Sequence, residues 1–242
     1  MTEYVSPERF QRANVDWLPG GRDMADTEAG EDDRRAVPGL ESIICFTPGA
    51  RVLTQWGERP VETLQPGERI ATRDHGLQPI RWIGKRTLCG RGDCAPVAIA
   101  SGVMGGTGAL ILSPRHRVLF TGYRAELLFG ESEVLVAAGH LVNGRDVTVT
   151  PRDEVTYIHI MLDRHEVIYA SGIATESFYA GDAALSAVDP AAREELFATF
   201  PELRSAPGRH RDTARPCLRR YEAALLRDDN ELSPAWSCQT PE

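Results

Sequence analysis

Between Cys45 and about Gly181, short runs of apolar and β-branched residues alternate with turn residues. The runs have the length of strands and include RVLT, RIATR, PVAIA, HRVLF, DVTVT and EVIYA. Because short alternating runs that end at glycine, proline and polar residues are typical of strands, the pattern predicts an all-β domain over 45–181. In the run Val155–Leu162 both alternating sets are mostly apolar, which predicts a strand covered on both faces.

After Gly181 the pattern becomes helical. Asp189 and Pro190 form a helix-start signal before AAREELFATF, where apolar residues recur at helical spacing. A second helix is predicted over about 216–227. Its predicted inward residues are Leu218, Tyr221, Leu225 and Leu226. We therefore expect residues 182–242 to be a short helical extension that packs on the β-domain or on a protein partner.

Residues 1–44 lack an apolar period and are predicted to be a flexible acidic leader. They carry ten acidic and five basic residues, and the whole chain has a net charge of −8. This charge disfavours nucleic acid as a partner, because binding there rests on neutralising phosphates. No apolar run approaches the roughly 20 residues that span a bilayer, so no membrane partner is expected. The first residues lack a usual secretory signal, which favours a cytoplasmic protein or one exported by another route.

The cysteines are five in number: Cys45, Cys89, Cys94, Cys217 and Cys238. An odd number without a signal peptide argues against a disulfide framework and favours at least one working thiol. The pair Cys89 and Cys94 could bind metal or form a local disulfide, but one such pair is a poor zinc site. We expect no metal and no cofactor.

Three segments of the sequence contain candidate residues for chemistry. Cys45 follows the leader and opens the β-domain, where a thiolate can attack an amide carbonyl; the alternative is a buried small apolar residue. Ser113 and His116 lie three apart in a predicted turn, and an imidazole can protonate a leaving amine; the alternative is a surface turn. Asp163, His165 and Glu166 lie between two apolar strands, where each could orient or polarise a neighbour or be a solvated turn residue.

Taken in order, these segments resemble the Hint family of hedgehog and intein self-processing domains. CFTPGARVLTQWGERPVETLQPGERIATRDHGLQPIRWIG resembles the opening block, LSPRHRVL the second block with serine for threonine, and VTYIHIMLDRHEVIYASGIATESFYAG the closing strands. The resemblance covers about residues 45–181 and is closest to the bacterial intein-like subclass. It implies a curved β-horseshoe with pseudo-twofold halves.

The resemblance also implies an N–S acyl shift on the chain's own leader. The Cys45 thiol attacks the Ile44 carbonyl, His116 protonates the departing nitrogen, and Ser113 holds the scissile bond. His165 matches a late-block histidine, with Asp163 beside it as an alternative base. Water or a small nucleophile then releases residues 1–44. Splicing inteins end in His-Asn, whereas this chain reads Ala-Thr-Glu-Ser-Phe over 174–178, so splicing is not expected. By the same resemblance, Gly172 matches the place of the aspartate used in hedgehog sterol transfer, so sterol transfer is not expected either.

Two other functions remain open from the residues alone. A trans-acting cysteine hydrolase would use Cys45 and His116 on added substrate, although no papain-like or caspase-like string surrounds Cys45. A non-catalytic Hint scaffold would instead present its C-terminal helices to a partner.

In the self-processing function, the residue before the attacked bond affects the rate. The β-branched Ile44 crowds its own carbonyl, which predicts slow cleavage and faster release after Ile44→Gly.

The missing asparagine predicts the products. We expect a leader of residues 1–44 and a fragment that begins at Cys45, with no ligation, because nothing at 174–178 can cyclise. Tandem mass spectrometry of the purified chain is the measurement. A peptide that joins the leader to residues after Gly181 would show splicing and contradict this prediction.

Overall fold

The computed structural model describes residues 44–178, 188–205 and 212–226. The predicted leader lies outside this part of the chain except for Ile44, as do residues 179–187, 206–211 and 227–242. Within the described residues, strands predominate. They are β1 (Arg51–Thr54), β2 (Gly57–Pro60), β3 (Arg69–Thr72), β4 (Gly76–Pro79), β5 (Trp82–Gly90), β6 (Val97–Ile99), β7 (Leu110–Leu112), β8 (Arg117–Thr121), β9 (Glu133–Ala137), β10 (Val147–Val149), β11 (Arg152–Met161), β12 (Val167–Ala170) and β13 (Ile173–Glu176).

The helices are short. They are α1 (Tyr123–Phe129), α2 (Pro190–Thr199), α3 (Glu202–Ser205) and α4 (Arg220–Ala223), with single 3-10 turns at Val61–Thr63, Gly92–Cys94, Val103–Gly105, Ala138–His140 and Ala224–Leu226. The all-β prediction with a short helical C-terminal region is confirmed.

The strands form three antiparallel sheets. The largest has eight strands in the order β2-β1-β3-β12-β13-β8-β9, with β4 paired to β3. A second sheet has the order β10-β6-β7, and the long strands β5 and β11 pair with each other. Phe46 joins the two smaller sheets, because it bridges Leu112 in β7 and Ile158 in β11. The first described residues of the chain therefore lie between two sheets rather than on an edge.

Strand β11 confirms the prediction of two covered faces. From Tyr157 to Met161, all five consecutive residues are buried, although their side chains point alternately to opposite faces. Ile158 and Ile160 belong to the main apolar core, whereas Tyr157 packs with Cys45 and Val155 in a separate cluster. A polar side chain on this strand must therefore find a partner inside the protein.

The C-terminal region agrees with the predictions in part. Helix α2 begins where predicted, and the Asp189 carboxylate caps it by accepting hydrogen bonds from the Ala191 and Ala192 N–H groups. The second predicted helix is wrong in its first half, because this segment pairs with an edge of the large sheet. Leu135 in β9 donates to the Pro216 carbonyl at 2.8 Å and accepts from the Leu218 N–H at 2.9 Å.

The inward face predicted for that helix needs a further correction. Leu226 is buried and Leu218 is partly buried, but Tyr221 and Leu225 are 66% and 51% exposed. The ion pairs of Arg215 explain why the segment is held extended. Its guanidinium lies 2.6 Å from Glu133 and 2.7 Å from Asp74, at two separate places on the large sheet.

Candidate active site

The peptide bond between Ile44 and Cys45 lies inside the protein. Ile44 is 5% exposed and Cys45 is 0% exposed. The Cys45 N–H donates to Ser113 Oγ at 2.9 Å, and the Ser113 N–H donates to the Cys45 carbonyl at 3.0 Å. On the other side, Phe46 and Ile158 exchange two backbone hydrogen bonds of 2.9 Å each. The backbone on the carboxyl side of the bond is thus held from two directions.

One imidazole contacts both the thiol and the carbonyl that the thiol would attack. His159 Nδ1 lies 2.9 Å from the Ile44 carbonyl oxygen and 3.2 Å from Cys45 Sγ, and Nε2 lies 3.3 Å from the same sulfur. Because a carbonyl oxygen can only accept, Nδ1 carries the proton in the neutral ring and Nε2 is left to accept one from the thiol. His159 is therefore a candidate base that also polarises the Ile44 carbonyl.

A second imidazole approaches from the Ser113 turn. His116 Nε2 lies 2.5 Å from Thr175 Oγ1, and that hydroxyl donates to the Arg117 carbonyl at 2.9 Å. Since the threonine proton is used, Nε2 must donate, which leaves His116 Nδ1 as an acceptor. This buried Nδ1 makes no hydrogen bond of regular geometry in the described part of the chain, although the Cys45 backbone is close enough to favour the cationic ring. It is therefore a candidate proton acceptor or donor beside the Cys45 backbone.

Burial keeps all three groups neutral. It lowers the pKa of His116 to about 4, although the Glu176 carboxylate and the Cys45 backbone favour its cation. It also lowers the pKa of His159 to about 4, opposed by the Ile44 carbonyl. Burial raises the pKa of the Cys45 thiol well above its usual value, and the charge of Arg86 opposes this. The resting thiol is therefore protonated and needs the adjacent base to become nucleophilic.

His165 belongs to an outer layer of the site. Its Nδ1 accepts from the Ala214 N–H at 2.9 Å, so Nε2 carries the proton and donates to Glu176 Oε2 at 3.0 Å. Glu176 follows Thr175, the residue that holds His116. His165 thus reaches the thiol only through the strand that positions His116.

Asp163 is not brought to the thiol. Its side chain is 55% exposed, and its ion-pair partner is Arg81 at 3.5 Å. Of the five residues predicted from the sequence, the structure brings Cys45, Ser113 and His116 together. His165 lies in the outer layer, and Asp163 lies on the surface. The reason is the turn after β11, where the side chain of residue 163 points to solvent and that of residue 165 points inward.

Sequence reasoning missed His159 and Glu176, and also Thr175, whose hydroxyl contacts His116. His159 has no visible partner in the sequence and suggests only a structural role, although a histidine in a strand covered on both faces requires a buried partner. Glu176 carries no sequence signal, yet it is fully buried and accepts from the Arg117 N–H at 2.8 Å and the Arg117 guanidinium at 2.9 Å. Burial alone would raise the pKa of Glu176, but the His165 hydrogen bond and the Arg117 charge hold it below its usual value.

No metal centre is formed by the described residues. Over 44–178, 188–205 and 212–226, no group of three or more histidine, cysteine or acidic side chains is placed to hold an ion. Cys89 and Cys94 are free thiols. Within the same ranges, no helix has the length and apolar character needed to cross a membrane.

A family model described as Hint domain matches residues 44–182, which is more than half of the chain. Among solved structures, the bacterial intein-like domain from Clostridium thermocellum has a TM-score of 0.40 at 12% identity and covers 57% of this chain and 100% of its own. The MchDnaB-1 intein has a TM-score of 0.36 at 11% identity, covering 55% and 99%. The gp41-1 intein has a TM-score of 0.36 at 16% identity, covering 54% and 96%. No curated protein matches the chain.

The two buried imidazoles predict how stability depends on pH. An unfolded histidine has a pKa of about 6.5, whereas His116 and His159 have values of about 4 in the fold. Between these values the unfolded chain binds protons that the folded chain does not, so the free energy of unfolding falls as the pH falls. We expect about 3 kcal/mol per imidazole over this window, from about 1.4 kcal/mol per pKa unit.

Urea unfolding of the Cys45→Ala chain between pH 7 and pH 4.5 measures this dependence. His159→Gln should flatten the curve, because it removes one of the two groups. Leu127→Ala is the control, since it changes an exposed side chain that does not titrate and should keep the slope of the parent. Equal slopes for His159→Gln and the parent would contradict the prediction.

Proposed function

The chain belongs to the Hint domain family, and from this premise we propose that it cleaves its own Ile44–Cys45 bond through a thioester on Cys45, without splicing. The Hint fold supports self-processing in general. One observation carries the finer proposal: the Ile44 carbonyl oxygen and the Cys45 sulfur both contact His159, at 2.9 and 3.2 Å. Nucleophile, electrophile and candidate base are therefore assembled around one peptide bond.

The first step forms the carbon–sulfur bond. His159 Nε2 takes the thiol proton as the sulfur attacks the Ile44 carbonyl carbon. The Nδ1–H of the same ring donates to the carbonyl oxygen, where negative charge develops. A raised thiol pKa keeps the sulfur inert until this transfer, because an uncompensated thiolate would be costly in a fully buried position.

The second step breaks the carbon–nitrogen bond. The departing Cys45 nitrogen needs a proton, and His116 can give one from Nδ1 when its ring is cationic. With a pKa of about 4, that cation is a minor species at neutral pH but a strong acid. His116 becomes neutral when it protonates the nitrogen, and His159 returns the thiol proton to solvent, which had supplied the proton of the His116 cation. In total, one proton is lost from sulfur and one is gained by nitrogen. Ser113 holds the nitrogen through the 2.9 Å hydrogen bond to its hydroxyl.

The third step resolves the thioester. Water or a small nucleophile attacks the acyl carbon of Ile44, the carbon–sulfur bond breaks, and the Cys45 thiol is regenerated. The closing strand supports cleavage rather than splicing. Thr175 and Glu176, in the segment where splicing domains have their terminal residues, are buried and bind His116 and His165.

Burial also argues against action on a separate substrate. A cysteine hydrolase that acts in trans needs a thiol that another chain can reach, whereas Cys45 is 0% exposed and is already in contact with its own neighbouring residues. The non-catalytic scaffold is disfavoured by the energetic cost of the site. Burying a cysteine and two neutral histidines that lower stability in acid is more easily explained by chemistry than by packing.

Intact mass spectrometry of the full chain, with and without hydroxylamine or dithiothreitol, tests the proposal. The wild type should release residues 1–44, and faster with the added nucleophile. Cys45→Ala should release nothing, because it removes the attacking sulfur. Cys89→Ala, which removes an exposed thiol, is the matched control and should behave as the wild type. A fragment that begins at position 45 in the Cys45→Ala chain would overturn the mechanism.

Variants of the flanking residues test the assigned roles. His116→Gln and His159→Gln should each slow thioester formation by on the order of 10²–10⁴-fold, the usual contribution of a general acid or base. Ser113→Ala should have a smaller effect, since the hydroxyl positions the nitrogen without transferring the proton. Rates come from hydroxylamine-trapped product over time. Asp163→Asn should leave the rate unchanged, and a large loss there would contradict its surface placement.

A further inference from the structure

The side chain of Ile44 packs apart from the main core. It belongs to a second apolar cluster, which we call the residue-44 pocket. The other buried members of the residue-44 pocket are Trp82, Met161, Phe178, Val188, Leu196, Phe200 and Leu203. Cys45 and Phe46, the next two residues, belong to two different clusters. The side chain before the scissile bond therefore has an apolar environment of its own.

Two parts of the chain build this pocket. One wall comes from the β-domain, where Trp82 and Met161 are directly opposite each other on β5 and β11, and the Phe178 N–H donates to the Ile160 carbonyl at 2.7 Å. The other wall comes from the helical extension, through α2 and the residues on either side of it. Leu196 is 0% exposed, so the buried face of α2 contributes directly to this pocket.

The same aromatic residues also hold the catalytic imidazole. Trp82 stacks on His159 with ring centroids 6.0 Å apart, and Phe178 meets that ring edge-on at 4.7 Å. Gly84 makes the Trp82 position possible, because a Cβ at residue 84 would lie 2.1 Å from the indole. Since His159 in turn holds the Ile44 carbonyl, the position of the side chain and the alignment of the carbonyl depend on shared neighbours.

We propose that the residue-44 pocket is a specificity site of the self-processing reaction, and that the helical extension selects an aliphatic side chain before the scissile bond. This inference rests on the proposed function. The buried members of the pocket are all apolar apart from the Trp82 Nε1–H, which has no hydrogen-bond partner among the described residues. A charged side chain at position 44 would be buried there without a compensating charge, at a high cost.

The residue-44 pocket reverses the expected effect of Ile44→Gly on the cleavage rate. The branched Cβ of Ile44 predicts faster cleavage after Ile44→Gly, because attack on the carbonyl would be less hindered. In the residue-44 pocket the same substitution removes the anchor that holds the carbonyl against His159. We therefore expect Ile44→Gly to be slower than the wild type, and Ile44→Asp to be slower still.

A size-complementation experiment on the full chain tests the pocket. Ile44→Phe should slow thioester formation by about tenfold or more, because extra volume in a packed site forces it open. Leu196→Ala makes room on α2 and should restore at least part of the rate in the Ile44→Phe chain, while it slows the chain that retains Ile44. Leu127→Ala removes the same atoms from an exposed leucine of α1 and should rescue nothing.

Rescue separates selection from a general loss of stability. A variant that only weakens the fold would slow both chains. A variant that enlarges the pocket should instead slow the chain with Ile44 and speed up the Ile44→Phe chain. Phe200→Leu is a milder second variant if thermal melting shows that Leu196→Ala is unfolded. If both pocket variants slow the chain with Ile44 and the Ile44→Phe chain equally, the pocket is overturned while wild-type cleavage upholds the proposed function. A wild-type chain that forms no thioester would overturn the proposed function itself, and the specificity role with it.

Discussion

The structure depends on keeping one ordinary peptide segment, Ile44 to Phe46, inside the protein. Backbone groups that are removed from water need partners, and here Ser113 and Ile158 supply them from opposite sides. Phe46 bridges β7 and β11, so the two smaller sheets meet across it. The segment that contains the proposed cleavage site is therefore also a structural connection between sheets, and the alignment of its peptide bond follows from the packing of the domain.

Burial also sets the electrostatics of the site. Because burial disfavours charge, Cys45, His116 and His159 are each most stable in their neutral forms. The formal charges lie one layer further out, where Glu176 forms an ion pair with Arg117 and accepts a hydrogen bond from His165. This separation leaves the three groups close together and uncharged, so that the proposed reaction begins with a proton transfer between neighbours.

The C-terminal residues are integral to this arrangement. The Ala214 N–H determines which nitrogen of His165 carries the proton, and Arg215 connects that segment to Asp74 and Glu133 on the large sheet. Helix α2 contributes to the apolar cluster that buries Ile44. A region that the sequence describes only as two amphipathic helices thus contributes one contact to the outer layer of the site and one wall to the residue-44 pocket.

Local sequence was enough to establish the strand-rich class, the start of α2 and the candidacy of Cys45, Ser113 and His116, because periodicity, capping residues and short motifs are local properties. The partners of these residues came from tertiary packing. His159 meets Ile44 across 115 positions, and His116 meets Thr175 across 59. Asp163 and His165 are two residues apart, yet the turn that contains them exposes the first side chain to solvent and buries the second. Which buried groups face each other depends on how sheets pack, and packing joins residues that no local pattern relates.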